Sequence, residues 1–189
     1  RNGAQLAIIN DPQILTYMDE NLANGSYSYQ IAAIYPDLIS DFTDIFAISI
    51  EIIYPPRDFS LAAQGDFVDL SWNAPLDSGG LLAYRLYRNG SLLSEGTSLS
   101  HHDANLPNGN YEYQLGTLYS FGESALSEAL PASVQIAYPA ANLQASLQDD
   151  DILLSWDPVS DAGFFDTYKL FRDGEQIAST ASATYSDTD

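Results

Sequence analysis

The chain has 189 residues, 46% apolar and 12% aromatic, a composition that suits one or two globular domains. Six basic against 26 acidic residues leave a formal charge of −20, which argues against nucleic acid and against an anionic membrane surface, both of which need Lys and Arg. Cysteine is absent, which excludes disulfides, thiolate catalysis and Cys-ligated zinc, and no apolar run reaches the roughly 18 to 20 residues of a membrane-spanning helix.

The first recognisable element is the tight turn Arg1-Asn2-Gly3. Only Asp19 to Ala23 comes near a helical period, where a loop is expected. Leu22 to Tyr35, LANGSYSYQIAAIY, reads as a turn and then a strand with Tyr27 and Tyr29 on alternate positions. Ile45 to Tyr54 is a further strand, ending at Tyr54-Pro55-Pro56. Proline cannot donate to a central ladder, so the Tyr-Pro junction marks a linker or an edge. After Phe59-Ser60-Leu61-Ala62 and the turn Gln64-Gly65-Asp66, the alternation of Val68, Leu70 and Trp72 predicts a half-buried strand with the tryptophan in the core.

Asn73-Ala74-Pro75 ends that strand, and the loop Asp77-Ser78-Gly79-Gly80 precedes a strand through Ala83-Tyr84-Arg85-Leu86-Tyr87. Asn89-Gly90 then supplies the two positive φ angles of a type I′ hairpin turn. Leu92-Leu93 and Ser98 to Asp103 are further strand segments. Leu106 to Ser124, LPNGNYEYQLGTLYSFGES, gives a turn, a tyrosine strand and a second turn, and Ala132 to Ala137 forms the last strand.

From Tyr138-Pro139 the order begins again. Leu143-Gln144-Ala145-Ser146, the turn Gln148-Asp149-Asp150 and the alternation of Ile152, Leu154 and Trp156 follow one another. Next come Asp157-Pro158, the loop Ser160-Asp161-Ala162-Gly163, the strand Thr167-Tyr168-Lys169-Leu170-Phe171 and the turn Asp173-Gly174. Gly25, Tyr27, Tyr29 and Tyr35 likewise stand 84 residues before Gly109, Tyr111, Tyr113 and Tyr119. A fixed period makes the repeat the unit of folding. Short strands separated by Gly, Pro, Asn and Asp turns predict an all-β chain of tandem β-sandwiches. Residues 55–138 hold about seven strands, the number one sandwich needs. Residues 1–54 are expected to be the C-terminal part of one copy and residues 139–189 the N-terminal part of another. Trp72, Tyr84, Tyr111 and Tyr113, with Tyr27, Tyr29, Trp156 and Tyr168, are the expected core.

Leu70-Ser71-Trp72 followed by Pro75, the strand and turn from Tyr84 to Gly90, Leu106-Pro107-Asn108-Gly109 before Tyr111, and Gly122-Glu123-Ser124 together resemble a fibronectin type III domain in its bacterial extracellular form. The resemblance covers residues 55–138 fully and both flanks in part. It implies immunoglobulin-like sandwiches acting as spacers, adhesive modules or scaffolding in secreted or surface proteins, with no shared catalytic residue. Two departures stand out. Tyr111 follows Gly109 by two residues where the family commonly has three, which leaves open which tyrosine bonds back to the turn. The 84-residue repeat is also slightly compact.

The candidates for chemistry are few. His101 and His102 are adjacent, so on a strand they point to opposite faces, and no Gly-x-Ser-x-Gly elbow is present. Asp149-Asp150-Asp151 reads as a solvated turn, with Ca2+ binding as the alternative, although no spaced D-x-D-x-D-G loop appears. Asn24 and Asn89 open Asn-Gly-Ser sequons, and each also serves as a turn former. Phe121 at a turn tip and the loop pair Phe164-Phe165 could form a sugar platform or cover a joint between domains.

The expected role is therefore a non-catalytic structural or adhesive repeat at the cell surface or outside the cell, without a cofactor. Expected partners are neighbouring repeats, further copies of the chain assembling head to tail, a surface protein or a polysaccharide. The alternative is an accessory spacer or carbohydrate-binding region of a secreted multidomain enzyme.

Overall fold

A computed structural model describes residues 1–188, and none of them is helical. The strands in chain order begin with β1 (Gly25–Tyr29), β2 (Ile34–Tyr35), β3 (Leu38–Ile39) and β4 (Phe46–Ile50). The second copy of the repeat contributes β5 (Arg57–Gln64), β6 (Phe67–Asn73), β7 (Leu81–Arg88), β8 (Ser91–Gly96), β9 (Ser100–Asp103), β10 (Gly109–Tyr119), β11 (Gly122–Glu123) and β12 (Leu130–Val134). The third contributes β13 (Ala141–Gln148), β14 (Asp151–Asp157), β15 (Tyr168–Arg172), β16 (Glu175–Thr180) and β17 (Thr184–Asp187).

In the second copy, β5, β6 and β9 form a three-stranded sheet. The order β11-β10-β7-β8, with β12 also on β10, forms the other. This division of early and late strands between two sheets is that of an immunoglobulin-like β-sandwich. The third copy repeats the first sheet as β13-β14-β17 and the beginning of the second as β15-β16. The first copy holds the late pairs β1-β4 and β2-β3. Residues 4–24 carry no strand.

The chain forms two compact units. One comprises Arg1–Phe59, Trp72–Leu99 and Gln114–Glu128, and buries Trp72, Ala83, Tyr84, Leu86, Leu115 and Tyr119. Within it, Trp72 lies edge-on to Phe59 and Tyr84, with centroids 6.2 and 5.7 Å apart. The other comprises Ser60–Ser71, Ser100–Tyr113 and the chain from Ala129 onward, and buries Val68, Leu70, Leu106, Tyr113, Ala132, Val134, Trp156 and Leu170. There Trp156 lies edge-on to Tyr168 at 5.2 Å.

Turn chemistry follows the residues. Asn2-Gly3, Asn89-Gly90 and Asp173-Gly174 have positive φ at both positions, as type I′ turns require. The hairpins β7-β8 and β15-β16 both shift register one residue before their closing pair, between Leu86 and Tyr87 and between Leu170 and Phe171.

The polar contacts also recur at the 84-residue period. Tyr27 donates its hydroxyl to Ala23 O at 2.7 Å, and Tyr111 donates to Pro107 O at 2.8 Å. Each is a tyrosine bonding back to the backbone upstream of its strand, the corner that locks such a sandwich. The next inward tyrosines, Tyr29 and Tyr113, donate to Asp19 at 2.8 Å and to buried Asp103 at 2.7 Å. Side-chain hydroxyls also satisfy backbone N–H groups, in the stretch after β1 and within β10 itself. Thr43 Oγ1 accepts from Ile31 N and Ser40 Oγ from Ala33 N, and Ser127 and Ser124 do the same for Leu115 and Thr117.

The three copies differ in what covers their apolar faces. Tyr113, Leu115 and Tyr119 are at most 2% exposed, whereas no side chain in residues 1–54 is buried. Ile31 and Tyr35, the equivalents of Leu115 and Tyr119, are 67% and 57% exposed. Along β13 every residue is exposed, Leu143 and Leu147 included. Apolar side chains are thus exposed both on the late strands of the first copy and along β13 of the third.

The corner hydroxyl and the deeper one differ in what they leave behind. Tyr111→Phe removes a bond to a carbonyl near solvent and should cost about 0.5–1.5 kcal/mol. Tyr113→Phe strips a donor from a buried carboxylate and should cost about 1.5–3 kcal/mol. Urea unfolding of the two variants checks the order.

Candidate functional site

The loop between β6 and β7 carries Asp77 two residues before Gly79. Asp77 Oδ1 accepts the Gly79 N–H at 2.8 Å, an Asx turn that orients the carboxylate. Its other oxygen accepts the backbone N–H of Asn24 at 2.5 Å. Asn24 belongs to the turn before β1, in the previous copy of the repeat. Its side-chain amide clamps Ile52 from both sides, Nδ2 donating to Ile52 O at 2.7 Å and Oδ1 accepting from Ile52 N at 2.8 Å. An asparagine amide thus pairs with Ile52 as a neighbouring strand would, just beyond the end of β4.

The same joint stands 84 residues later. Asp161 Oδ1 accepts from Gly163 N at 2.9 Å and Oδ2 from Asn108 N at 2.6 Å. The Asn108 amide clamps Ile136, donating to its carbonyl at 2.9 Å and accepting from its N–H at 2.6 Å. Each joint lies wholly inside one compact unit, the Asp77 joint in the first and the Asp161 joint in the second.

The glycine in each joint is required by contact. A Cβ on Gly79 would sit 2.7 Å from Asn24 O, and one on Gly163 would sit 2.7 Å from Asn108 O. Both obstacles include backbone, which cannot swing aside as a side-chain tip would. The spacing of Asp and Gly by two residues makes the Asx turn, and the missing Cβ lets the Asn turn approach.

Electrostatics reinforce the arrangement. The N–H groups of Gly79 and Asn24 hold the Asp77 carboxyl below the usual carboxylate range, outweighing the opposing desolvation. Neither aspartate forms an ion pair among the described residues, so the backbone carries the charge. Around the Asp77 joint, Tyr54 O accepts from Thr117 Oγ1 at 2.8 Å and from Tyr119 OH at 3.3 Å, and Tyr119 also donates to Asp77 O at 2.8 Å. Burial pushes the Tyr119 phenol up, and burial does the same to Tyr84. Beside the Asp161 joint lies an open cleft of about 650 Å³ lined by Asp66, Leu106, Tyr138 and Asp161 among others.

The residues singled out in the sequence fall as follows. Trp72, Trp156, Tyr84 and Tyr113 are buried, while Tyr27, Tyr29, Tyr111 and Tyr168 are half-buried. Phe121 is half-buried, stacked on Tyr119 with centroids 5.3 Å apart and close over Gly80. Phe165 rests on Tyr168 at 4.6 Å, and Phe164, at the position of Gly80, is exposed. Phe121 belongs to the first unit, and Phe164 and Phe165 to the second. Asn89 sits in an exposed hairpin turn, whereas the Asn24 amide is committed to Ile52.

Asp149 and Asp150 lie between the paired residues Gln148 and Asp151, at the hairpin tip. Among the described residues no group of three His, Cys, Asp or Glu side chains is placed to hold a metal ion. His102 pairs with Asp69 at 2.7 Å on an exposed face of β9 and β6, with Phe67 4.9 Å from its ring.

The joint residues were only partly visible in the sequence. The recurrence of Asp-x-Gly in both loops and of Asn-Gly in both turns is the available signal. What it lacks is the pairing of positions 53 residues apart.

No family model matches the chain. A stretch of 149 residues is 24% identical to Exoglucanase B of Cellulomonas fimi, covering 70% of this chain and 14% of that protein. Among solved structures the chain is similar to domains d3–d4 of the rat CD45 extracellular region, at 14% identity and a TM-score of 0.46 over 71% of this chain and 78% of that one. It is also similar to the sixth fibronectin type III domain of human fibronectin type III domain containing protein 3, at 19% identity and a TM-score of 0.42 over 50% of this chain and 98% of that one. A third is FN3tt, at 17% identity and a TM-score of 0.39 over 45% and 97%. By its own strand order and tyrosine corners, the chain is of the fibronectin type III-like class of β-sandwich.

The joint geometry sets a test. Gly79→Ala drives a methyl into Asn24 and should cost about 1–3 kcal/mol. Gly96→Ala meets nothing within 4 Å and should stay within about 0.5 kcal/mol of wild type. Thermal or urea unfolding of both variants checks the contrast.

Proposed function

We propose that this chain is a non-catalytic structural region of an extracellular or cell-surface protein, built from tandem fibronectin type III-like domains that act as spacers. The carrying observation is the joint made twice with the same residues, Asn24 with Asp77 and Asn108 with Asp161. A spacer needs a defined relation between neighbouring copies, and repeat arrays obtain it from nearest-neighbour interfaces. In this reading the Tyr-Pro junctions divide the chain into a C-terminal part at 1–54, a complete domain at 55–138 and an N-terminal part at 139–189. The charge of −20 supports the reading, since it keeps β-rich chains apart in solution.

The open apolar faces at Ile31, Tyr35 and Ile48 and at Leu143 and Leu147 are covered, in this proposal, by strands of further copies. Those copies lie either in the same polypeptide or in another one joined head to tail. Light scattering of the 189-residue chain across a concentration series separates the two. Growth beyond a dimer supports head-to-tail assembly, and a monomer at all concentrations places the covering strands within one polypeptide.

A second reading is favoured by the similarity to Exoglucanase B: an accessory spacer or carbohydrate-binding region of a secreted multidomain enzyme. Exposed Phe164, beside half-buried Phe165, is the surface such binding would use. Sedimentation with insoluble glucan tests the carbohydrate-binding form of this reading. Under the spacer reading the chain stays in the supernatant. Retention that Phe164→Ala abolishes would replace that reading with the second.

A further inference from the structure

We propose that the Asn24–Asp77–Gly79 joint is an acid-released latch, which fixes one copy of the repeat on the next while Asp77 is ionised and frees it when Asp77 is protonated. The proposal goes beyond the spacer role, which would survive its failure.

Two backbone donors hold each carboxylate. Both oxygens of Asp77 accept backbone N–H groups, one from its own loop and one from the turn of the previous copy. Both oxygens of Asp161 do the same. A carboxylate has acceptor capacity only, so two converging N–H donors suit its ionised form and oppose a proton on either oxygen. The bond across the Asp77 joint, from Asn24 N, is therefore strong when the carboxylate is charged and weak when it is neutral.

The groups that face the Asp77 joint are phenols: Tyr119 donates to the Asp77 carbonyl and to Tyr54 O, and Tyr84 lies in the same unit. Burial pushes the Tyr119 and Tyr84 phenols up, so neither gains or loses charge in acid. No cation shares the Asp77 carboxylate among the described residues, so no salt bridge maintains the joint once the proton arrives.

The sign follows from linkage. A group whose closed-state pKa is depressed contributes stability that is present above its free value, about 3.9 for aspartate, and is lost as pH falls toward the closed-state value. For Asp77 the closed-state value is lowered by the two N–H donors. Below a pH of about 3.9 the closed-to-open ratio of that joint should fall by up to tenfold per pH unit, until the closed form itself takes up the proton.

The chain lacks cysteine, so introduced pairs give unique labels. Glu51→Cys with Ser91→Cys spans the Asp77 joint. Fluorescence energy transfer in the otherwise complete chain should be narrow and constant from pH 7 to pH 5, then broaden below pH 4 while circular dichroism still reports intact strands. Asp77→Asn sets an amide NH2 against an N–H donor, and should show the broad distribution at pH 7 with no further change in acid. Asp69→Asn, outside the joint, should follow wild type. Three results would overturn the proposal: transfer unchanged down to pH 3, broadening only together with loss of strand signal, or an Asp77→Asn variant indistinguishable from wild type at pH 7. If Gly79→Ala broadens transfer across the first joint at every pH while acid leaves wild type unchanged, the joint fixes the copies but acid does not release it.

Discussion

A carboxylate charge supported by backbone N–H groups is the constraint on which the joints depend. Coulombic attraction between exposed side chains is worth little in water and is screened by salt. Hydrogen bonds from fixed amides to an ionised acceptor are shorter and stronger, and they have direction. The Asx turns at Asp77 and Asp161 use one oxygen locally, which leaves the other aimed at a single donor on the preceding copy. Gly79 and Gly163 then allow an approach that a methyl group would block. The Asn24 and Asn108 amides complete the joint by holding the turn to Ile52 and Ile136, at the end of the copy's last strand.

Around these joints, each copy is held by an arrangement of tyrosines. The corner hydroxyls of Tyr27 and Tyr111 bond to the backbone four residues upstream. The deeper pair, Tyr29 and Tyr113, reach the aspartates at Asp19 and Asp103. Basic residues enter the same network at the flanks, where Arg1 pairs with Asp19 and Arg172 with Asp187. Four of the six basic side chains in the chain are arginines close to hairpin turns, at 1, 85, 88 and 172, so positive charge is spent on turns and strand edges. The remaining acidic excess lies on the surface, where it opposes the sideways association that exposed β-edges invite.

Much of the fold was legible because period-two alternation and turn residues are local signals. Val68, Leu70 and Trp72 alternate in sequence and are the buried residues of β6. Asn89-Gly90 and Asp173-Gly174 take the positive φ angles that their sequence requires. The segment from Asp19 to Ala23 is the loop its position leads one to expect, and Asp19 accepts there from Tyr29 and Arg1. The joints were less legible because their partners are 53 residues apart and the decisive atoms are backbone N–H groups, which every residue carries. Phe121 shows the same limit from the other side. A phenylalanine at a turn tip reads equally as a platform or as cover for a joint, and its contact with Tyr119 and closeness to Gly80 are not visible in the sequence.

The account reduces to whether the cross-copy amides are held by the aspartates in solution. Hydrogen exchange of the Asn24 and Asn108 backbone amides, followed by NMR at neutral pH, measures this directly. Protection comparable to that of amides in β6 and β10 is the predicted result, since opening would then require breaking a charge-assisted bond and its clamp together. Exchange of both amides at the rate of an unstructured chain, with the strands still protected, would contradict it.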